Sequence, residues 1–182
     1  TMGFRGEAMA SIAAIAHVEM RTRRHADELG TRIVIEGSEV KIQEACQCSA
    51  GTSISIKNLF YNVPARRTFL KSHTVEMRHI LDEFQHVAIA NPDTFFSLHH
   101  NNTEVFHLPD GNLRQRVVGV FGSSWNKKLV PVDEITDILK IRGFVGKPEF
   151  AKKTRGEQLL FVNNRFIRSP YLNHAISKAY EE

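Results

Sequence analysis

The chain has the composition of an ordinary globular protein: 182 residues, of which 42% are hydrophobic and 24% charged, with 11 Gly, 6 Pro and 2 Cys. These values exclude a collagen-like chain, a disulfide-rich scaffold and a largely disordered chain. No stretch approaches the roughly 20 consecutive apolar residues of a membrane helix, and no signal-peptide-like leader opens the chain. We therefore expect a soluble, cytoplasmic protein, with Cys46 and Cys48 in a reducing compartment.

The net charge of +4 is unevenly distributed along the chain. Residues 1–112 contain 11 Lys and Arg against 13 Asp and Glu, whereas residues 113–182 contain 13 against 7. A local basic excess indicates a negatively charged partner, most commonly nucleic acid, although many basic surfaces bind nothing in particular. The second part of the chain is therefore where a nucleic-acid interface is expected.

The first part of the chain predicts one helix and then a sheet. A helix is expected over residues 6–16, which are rich in alanine and carry isoleucines at helical spacing. Four segments follow in which apolar and polar residues alternate, at 18–22, 33–35, 40–42 and 53–57. Each predicts a half-buried strand in a largely antiparallel sheet.

The clearest helix is predicted over residues 74–90, with Thr74 as its cap. One apolar stripe supports it, made of Met77, Ile80, Leu81, Phe84, Val87 and Ala88. A hairpin turn is expected at Asn101-Asn102, and the turn-forming residues at 109–112 lead us to place a domain border between residues 112 and 113.

Beyond that border, the pattern predicts a helix over 113–121, a strand over 138–144 and a central strand over 158–162, where every second residue or more is apolar. Ser169 and Pro170 are typical of a helix start and open the last helix. Helices and strands in two pieces indicate an α+β fold.

Two glycines, Gly3 and Gly6, precede the first helix. Backbone N–H groups in such a loop, together with the positive end of a helix dipole, can hold a phosphate. The pattern is neither a P-loop nor a dinucleotide fingerprint, because the Lys-Ser/Thr pair and the preceding strand are missing. The glycines alone are equally typical of a loop before a tightly packed helix, so both interpretations stay open.

Four motifs resemble the N-terminal region of the MutL family of DNA mismatch repair proteins. They are GFRGEAMASI at 3–12, Gly-Thr at 51–52, NLFYNVPARRTFLK at 58–71 and FVNNRFIR at 161–168. The motifs follow one another in the family's order over almost the whole chain. This resemblance is the most specific signal in the sequence.

The resemblance implies an α+β fold in two incomplete domains. Residues 1–112 correspond to the C-terminal part of a GHKL-type ATPase α/β sandwich, the superfamily of gyrase, Hsp90, histidine kinases and MutL. Residues 113–182 correspond to the N-terminal part of a ribosomal-protein-S5-like (domain 2-like) α/β domain. In the family, the loop that matches residues 3–8 is a lid over the triphosphate, and the Gly-Thr motif lies near the purine. The implied nucleotide-binding residues are Gly3, Phe4, Arg5, Gly6, Glu7, Ala8 and Thr52.

The resemblance also implies that groups needed for hydrolysis lie outside these 182 residues. The family's general-base Glu and the Asp-x-Gly-x-Gly segment that holds adenine precede the lid, and a Lys that reaches the γ-phosphate follows the last helix. Phosphoryl transfer needs a positioned water, a metal ion and the phosphates together. We therefore expect an ATPase that uses ATP and Mg²⁺ in the parent protein, and no catalytic residue, bound ATP or hydrolysis in this chain alone.

For the basic second part, the resemblance implies a DNA-binding surface. Many relatives carry another Arg two places after Arg168, where this chain has Pro170, and this departure weakens the expectation. The implied partners are DNA, a MutS-type mismatch recognition protein, downstream repair factors and a second copy of the parent protein, with no membrane. The candidate DNA-binding residues are Arg165, Arg168, Lys147, Lys152, Lys153 and Arg155.

Other interpretations stay open at this point. The chain could be a DNA-binding scaffold module without catalysis, or belong to another GHKL ATPase such as a type II topoisomerase, although the string at 59–67 argues against the latter. A metal site is not expected, because no His stands at ligand spacing from Cys46 and Cys48. His79 and His86, seven residues apart on a helix, are expected at the surface.

Overall fold

The structure is a computed structural model that describes residues 6–151 and 157–180. The chain divides into two compact units, with the boundary between Glu76 and Met77. The domain border expected between residues 112 and 113 stays a prediction. No helix among the described residues is long and apolar enough to span a membrane.

The first unit consists of a four-stranded antiparallel sheet with short helices. Its strands lie in the order β3-β2-β1-β4, so the chain enters the sheet in the middle and ends at one edge. The four alternating segments of the sequence therefore form the predicted antiparallel sheet. The elements are α1 (Ala8–Ala13), β1 (His17–Arg23), β2 (Gly30–Glu36), β3 (Glu39–Cys46), β4 (Gly51–Lys57) and α2 (Pro64–Arg67).

Burial in this sheet decreases from the centre to the edges. Val18 of β1 is 2% exposed, whereas Ile56, directly opposite it on β4, is 46% exposed. On β3, Val40 and Ile42 are 55% and 37% exposed. The expectation of half-buried strands is therefore wrong for β3 and β4. Alternation shows which face of a strand can be buried, but burial also needs an element that covers that face.

In the second unit, the residues that the structure describes form three antiparallel hairpins and three helices. Its first helix, α3, begins within the first unit. The hairpins pair β5 with β6, β7 with β8 and β9 with β10. The elements are α3 (His73–Ala90), β5 (Phe96–His100), β6 (Thr103–Leu108), α4 (Leu113–Phe121), β7 (Leu129–Ile135), β8 (Lys140–Gly146), β9 (Leu160–Val162), β10 (Arg165–Ile167) and α5 (Pro170–Ala179), with short 3₁₀ turns at Ser123–Lys127 and Pro148–Phe150.

Local sequence accounts for several of these boundaries. The predicted turn at Asn101-Asn102 is present, and both residues have positive φ angles, of 47° and 63°, as a two-residue hairpin turn requires. Asn112 caps α4 in a capping box with Gln115. Ser169 accepts a hydrogen bond from the backbone of α5, as expected for a cap.

Three predicted boundaries are wrong. The first helix covers only Ala8–Ala13 instead of residues 6–16. The long helix begins at His73, so Thr74 lies inside it and does not cap it. The apolar run at 158–162 yields only the three-residue β9, which pairs with β10 alone among the described strands and is not central.

The hydrophobic core of the second unit lies where α3, β6 and α4 meet. Ala88, Ile89, Leu108 and Val120 are each 8% exposed or less. Ile80 and Val87 belong to the predicted stripe of α3 but are 52% and 41% exposed, while Ile89 and His86 are buried. The other four residues of the stripe, Met77, Leu81, Phe84 and Ala88, are at least partly buried, so the predicted face is correct in part. Aromatic side chains surround the core, among them Phe84, Phe96, Phe106, Phe121 and Phe161.

Candidate functional site

The start of α1 carries the described part of the phosphate-binding motif. Gly6, Glu7 and Ala8 are all exposed. Glu7 stands at the cap position of α1, and no side chain there accepts a hydrogen bond from the first turn. Backbone N–H groups at such an uncapped start can donate hydrogen bonds to an anion. Gly3, Phe4 and Arg5 lie outside the described residues.

The motif at 58–71 holds the other end of α1 in place. The backbone N–H of Phe60 donates to the carbonyl of Ile15 over 2.7 Å. The side chain of Asn62 donates to the carbonyl of Ala14 over 2.9 Å. The motif at 58–71 is therefore in direct contact with Ala14 and Ile15, the residues that follow α1.

Next to this contact, Asn58 and Tyr61 both engage His17, the first residue of β1. The amide of Asn58 lies 3.1 Å from Nδ1 of His17, and the Tyr61 ring meets the imidazole edge-on at 4.2 Å. Sequence reasoning did not identify these positioning residues. The sequence signal that could have identified them is the asparagine at position 58, because Asn tolerates the left-handed backbone conformation found there. Asn58 and Phe60 have φ angles of 54° and 62°.

Thr52 lies in β4, away from α1. Its hydroxyl is 2.8 Å from that of Thr22, its partner on β1. Because β1 begins at His17, directly after α1, Thr52 is paired with the opposite end of that strand, five residues away, which corresponds to about 17 Å of strand. Thr52 therefore lies at the opposite end of β1 from His17.

Two candidate DNA-binding arginines lie at the two ends of β10 in the second unit. Arg165 begins β10, Arg168 follows it, and both are exposed. Between them, Phe166 stacks on His86 of α3 with ring centres 3.5 Å apart and planes 9° apart. The Phe161 ring contacts Phe166 edge-on at 5.9 Å. An aromatic stack thus holds the strand while its arginines face outward.

His86 does not lie at the surface as expected. It is 8% exposed, and its Nδ1 atom has no hydrogen-bond partner among the described residues, with the Glu83 carboxylate 3.8 Å away. Its stacking on Phe166 accounts for the burial, because a flat imidazole ring can pack like an aromatic ring. His79 is exposed, as predicted.

Lys147 lies near the opposite end of α5 from Arg168. The Tyr180 hydroxyl, just after α5, donates to the carbonyl of Gly146 over 2.6 Å, and Lys147 follows in the chain. Arg168 precedes the start of α5, whose ten residues span about 15 Å. The described basic candidates are therefore spread along α5 and do not form one cluster. Lys152, Lys153 and Arg155 lie outside the described residues.

Within residues 6–151 and 157–180, no group of three or more His, Cys, Asp or Glu residues is arranged to hold a metal ion. The candidate sites on both units consist instead of backbone N–H groups, hydroxyls and exposed cations. Such groups bind anions, and phosphates in particular.

Residues 117–182 match the family described as "DNA mismatch repair protein, C-terminal domain". The "DNA mismatch repair protein MutL" of Christiangramia forsetii is 64% identical over 181 residues, which cover 100% of this chain and 29% of that relative. The chain thus spans less than a third of the length of this curated relative.

Solved structures share the fold. The "Aquifex aeolicus MutL ATPase domain complexed with ADP" matches with a TM-score of 0.80 and 27% identity, over 94% of this chain and 67% of that chain. The "Crystal Structure of N terminal domain of a DNA repair protein" matches with a TM-score of 0.84 over 100% of this chain and 60% of that chain, and at 21% identity it supports the fold alone. The expected α+β fold, part of a GHKL-type ATPase, is confirmed.

Proposed function

Because the chain belongs to the MutL family of DNA mismatch repair proteins, we propose that its parent protein is an ATP-hydrolysing mismatch repair protein. ATP closes a dimer of N-terminal regions and couples mismatch recognition by a MutS-type protein to downstream repair on DNA. The observation that carries this proposal is the 64% identity to a MutL protein over the whole chain. The likeness to an ATPase domain solved with ADP supports the nucleotide.

In this proposal, the start of α1 belongs to the lid over the triphosphate. The backbone N–H groups around Gly6, Glu7 and Ala8 bind phosphate oxygens, and the preceding Gly3, Phe4 and Arg5 belong to the same loop. The uncapped and exposed start of α1 supports this assignment. ATP and Mg²⁺ bind in the parent protein, and the metal ion neutralises charge on the phosphates.

Thr52 is placed toward the purine end of the nucleotide. The match of Gly51-Thr52 to the family's motif supports this placement, and Thr52 pairs with Thr22 at the end of β1 far from His17. Since its hydroxyl is exposed, it is free to form a second hydrogen bond to a ligand.

We propose that the 182 residues by themselves neither bind nor hydrolyse ATP appreciably. They contain no Asp-x-Gly-x-Gly segment of the kind that holds adenine in the family. Titration calorimetry with a non-hydrolysable ATP analogue tests this point. We expect heat of binding with the full-length protein and none with the 182-residue chain, and micromolar binding by the chain alone would overturn the proposal.

The role of Thr52 is tested in the full-length protein. Thr52→Val removes the hydroxyl and should weaken binding of the ATP analogue severalfold. Ser53→Ala is the matched control, because residue 53 points to the other face of β4 and should bind as the wild type does. Equal affinities of the two variants would remove Thr52 from the nucleotide site.

We further propose that Arg165, Arg168 and Lys147 contact DNA phosphates, together with Lys152, Lys153 and Arg155. The two arginines are exposed at the ends of a strand held by the His86 and Phe166 stack, and the second part of the chain carries the basic excess. Phosphate contacts give affinity with little sequence preference, and this affinity falls steeply with added salt.

Fluorescence anisotropy with duplex DNA over a range of salt concentrations tests this interface. Arg168→Gln or Arg165→Gln in the full-length protein should weaken binding and reduce the slope of log K against log salt by about 1. Arg142→Gln is the control, since Arg142 is 63% exposed but paired with Asp133 at 3.5 Å. Binding that does not depend on salt, or an equal effect of the control, would contradict the proposal.

A further inference from the structure

Cys46 and Cys48, the two cysteines of the chain, meet beside Gly30. Cys46 ends β3 and lies directly opposite Gly30 of β2. A Cβ atom at Gly30 would stand 2.5 Å from Sγ of Cys48, so the absence of a side chain makes room for that thiol. Both thiols are free, and both lie beside Gly30.

A side chain of β1, Arg23, hydrogen-bonds to the backbone at Cys48. Nε of Arg23 donates to the carbonyl of Cys48 over 2.8 Å, and Nη1 of the same side chain donates to the carbonyl of Asp27 over 2.6 Å. Residues 47–49 belong to no strand, so this segment can adjust without breaking the pairing of β3. The sulfur atoms are therefore close together on a support that tolerates a small movement.

Both thiols are partly exposed, and Cys48 also borders a surface depression. Cys48 lines an open surface cavity of about 490 Å³ together with Arg23, Glu28, Gln47 and Ser49. Cys46 is not part of this lining. A small solute therefore reaches Cys48 first, next to the positive charge of the Arg23 guanidinium.

The Cys46 thiol is held in its protonated form. Burial, followed by the hydrogen bond to Cys48, raises the pKa of the Cys46 thiol above its ordinary value. Cys46 therefore remains protonated at neutral pH and can donate its hydrogen to Cys48. A donated hydrogen bond stabilises the thiolate, which is the form of cysteine that reacts with peroxides.

We propose that Cys46 and Cys48 form a redox pair, in which a hydroperoxide oxidises Cys48 and Cys46 then closes an intramolecular disulfide. This modification site is independent of the proposed nucleotide and DNA functions. Disulfides in reducing compartments are commonly transient and redox-sensing. The disulfide would form three residues before β4, which begins at Gly51 and carries Thr52.

The chemistry proceeds in two steps. The Cys48 thiolate attacks an oxygen of the hydroperoxide, the O–O bond breaks, and Cys48 becomes a sulfenic acid while the other oxygen leaves as an alkoxide that takes up a proton. The Cys46 sulfur then displaces the hydroxyl group of the sulfenic acid, which leaves as water with the Cys46 proton. Two thiols and one hydroperoxide thus give a disulfide, an alcohol and water, as two electrons pass from sulfur to oxygen.

Peptide mapping of the full-length protein tests the proposal. The reduced protein is treated with hydrogen peroxide, its remaining thiols are blocked with N-ethylmaleimide, and it is digested with trypsin. Both cysteines fall in one peptide, residues 42–57, because no Lys or Arg lies between Lys41 and Lys57. We expect this peptide to be unalkylated and lighter by two hydrogen atoms, and to regain two alkylation sites after treatment with dithiothreitol.

Single substitutions separate the two roles. In Cys46→Ser, oxidation should stop at a Cys48 sulfenic acid, which dimedone traps. In Cys48→Ser, the remaining Cys46 should be oxidised more slowly, by at least about tenfold, than Cys48 is in the first variant. Circular dichroism checks that both variants are folded. If either variant fails to fold, the peptide map of the wild-type protein still tests the proposal.

Two results would overturn the proposal. One is full alkylation of both cysteines under conditions that oxidise glutathione in the same solution. The other is a wild-type Cys48 that ends as a sulfinic acid or bonds to a different cysteine of the parent protein, since Cys46 would then not be the group that closes the ring.

Discussion

The two compact units are ordered by different interactions. In the first unit, pairing across the sheet dominates, and Arg32 of β2 joins Glu19 of β1 to Glu44 of β3 at 3.1 and 2.7 Å. In the second unit, Leu108 and Val120 are buried in a core surrounded by aromatic rings. Exposed ion pairs contribute little to stability, whereas buried apolar groups contribute much. Substitutions in the second unit should therefore cost more.

The largest effect is expected from Leu108→Ala, because Leu108 is 3% exposed in the core of the second unit. The loss of burial and the resulting cavity should destabilise the chain by about 2–5 kcal/mol. Ile54→Ala in β4, where the side chain is 45% exposed, should cost less than about 1 kcal/mol. Urea unfolding of the 182-residue chain, followed by far-UV circular dichroism and by fluorescence of the single Trp125, compares them. Equal costs would refute the contrast between the units.

The next effect concerns Arg116, a charged residue that is 2% exposed. Its Nη2 atom donates to the carbonyls of Pro92, Thr94 and Pro109 at 2.9, 2.5 and 3.1 Å, and burial lowers the pKa of its guanidinium. Arg116→Met leaves three carbonyls without this donor and should cost about 1–3 kcal/mol. The same unfolding assay measures this loss.

Arg114→Met provides the control for Arg116→Met, since Arg114 lies two residues earlier on α4 and bonds to Asn126 at the surface. We expect a smaller loss of stability from this variant. If Arg116→Met were no worse than the control, the core of the second unit would not depend on its buried cation.

A smaller effect is expected at the start of α4. The Asn112 side chain accepts a hydrogen bond from the Gln115 backbone over 2.9 Å. Asn112→Ala should therefore destabilise the second unit by about 1 kcal/mol, whereas Asn112→Ser, which preserves an accepting oxygen, should cost only a few tenths. The urea midpoint monitored at Trp125 distinguishes them, and indistinguishable midpoints would show that the cap is not needed.

The smallest effect should appear in the first unit as acid sensitivity. Hydrogen bonds from Arg32 and then Arg21 lower the pKa of the Glu19 carboxyl in the folded chain. A lowered pKa gives stability at pH values above the ordinary Glu value, and this stability is lost as the pH falls through the folded value. Glu19→Gln should therefore flatten the loss of stability that begins below about pH 5 and continues as the pH falls below the ordinary Glu value of roughly 4.3.

Urea midpoints from far-UV circular dichroism at several pH values test this last expectation. Arg24 provides a comparison, because its 87% exposed side chain pairs with Asp27 in the loop between β1 and β2, and Arg24→Gln should change the midpoint less. Identical pH profiles for Glu19→Gln and the wild type would show that the cross-strand ion pairs do not contribute to the order of the sheet.

Much of the local structure was predictable from the sequence. The turn at Asn101-Asn102, the helix that Asn112 precedes and the helix start at Ser169-Pro170 all depend on neighbouring residues alone. Asparagine tolerates positive φ, and side-chain oxygens cap helices within three residues. The four motifs likewise predicted the family, because they are read directly from the order of residues.

Other features depend on residues that are far apart in the sequence. The burial of His86 requires Phe166, eighty positions away, and the support of α1 requires Asn62, which bonds to Ala14. A pattern of neighbouring residues does not predict contacts between residues so far apart in the sequence. For the candidate site, the sequence predicted which residues to consider, but it did not predict that Thr52 pairs with Thr22 at the end of β1 far from His17.

The sequence by itself determined the turn at Asn101-Asn102, the helix start at Ser169-Pro170, the four strands of the first sheet and the family, since these follow from backbone preferences and from the order of motifs. Only the tertiary structure decided which apolar faces are buried, why β3 and β4 remain exposed, and that Cys48 packs over Gly30. The physical reason is that conformational preference acts between neighbours along the chain, whereas burial depends on which distant element covers a surface.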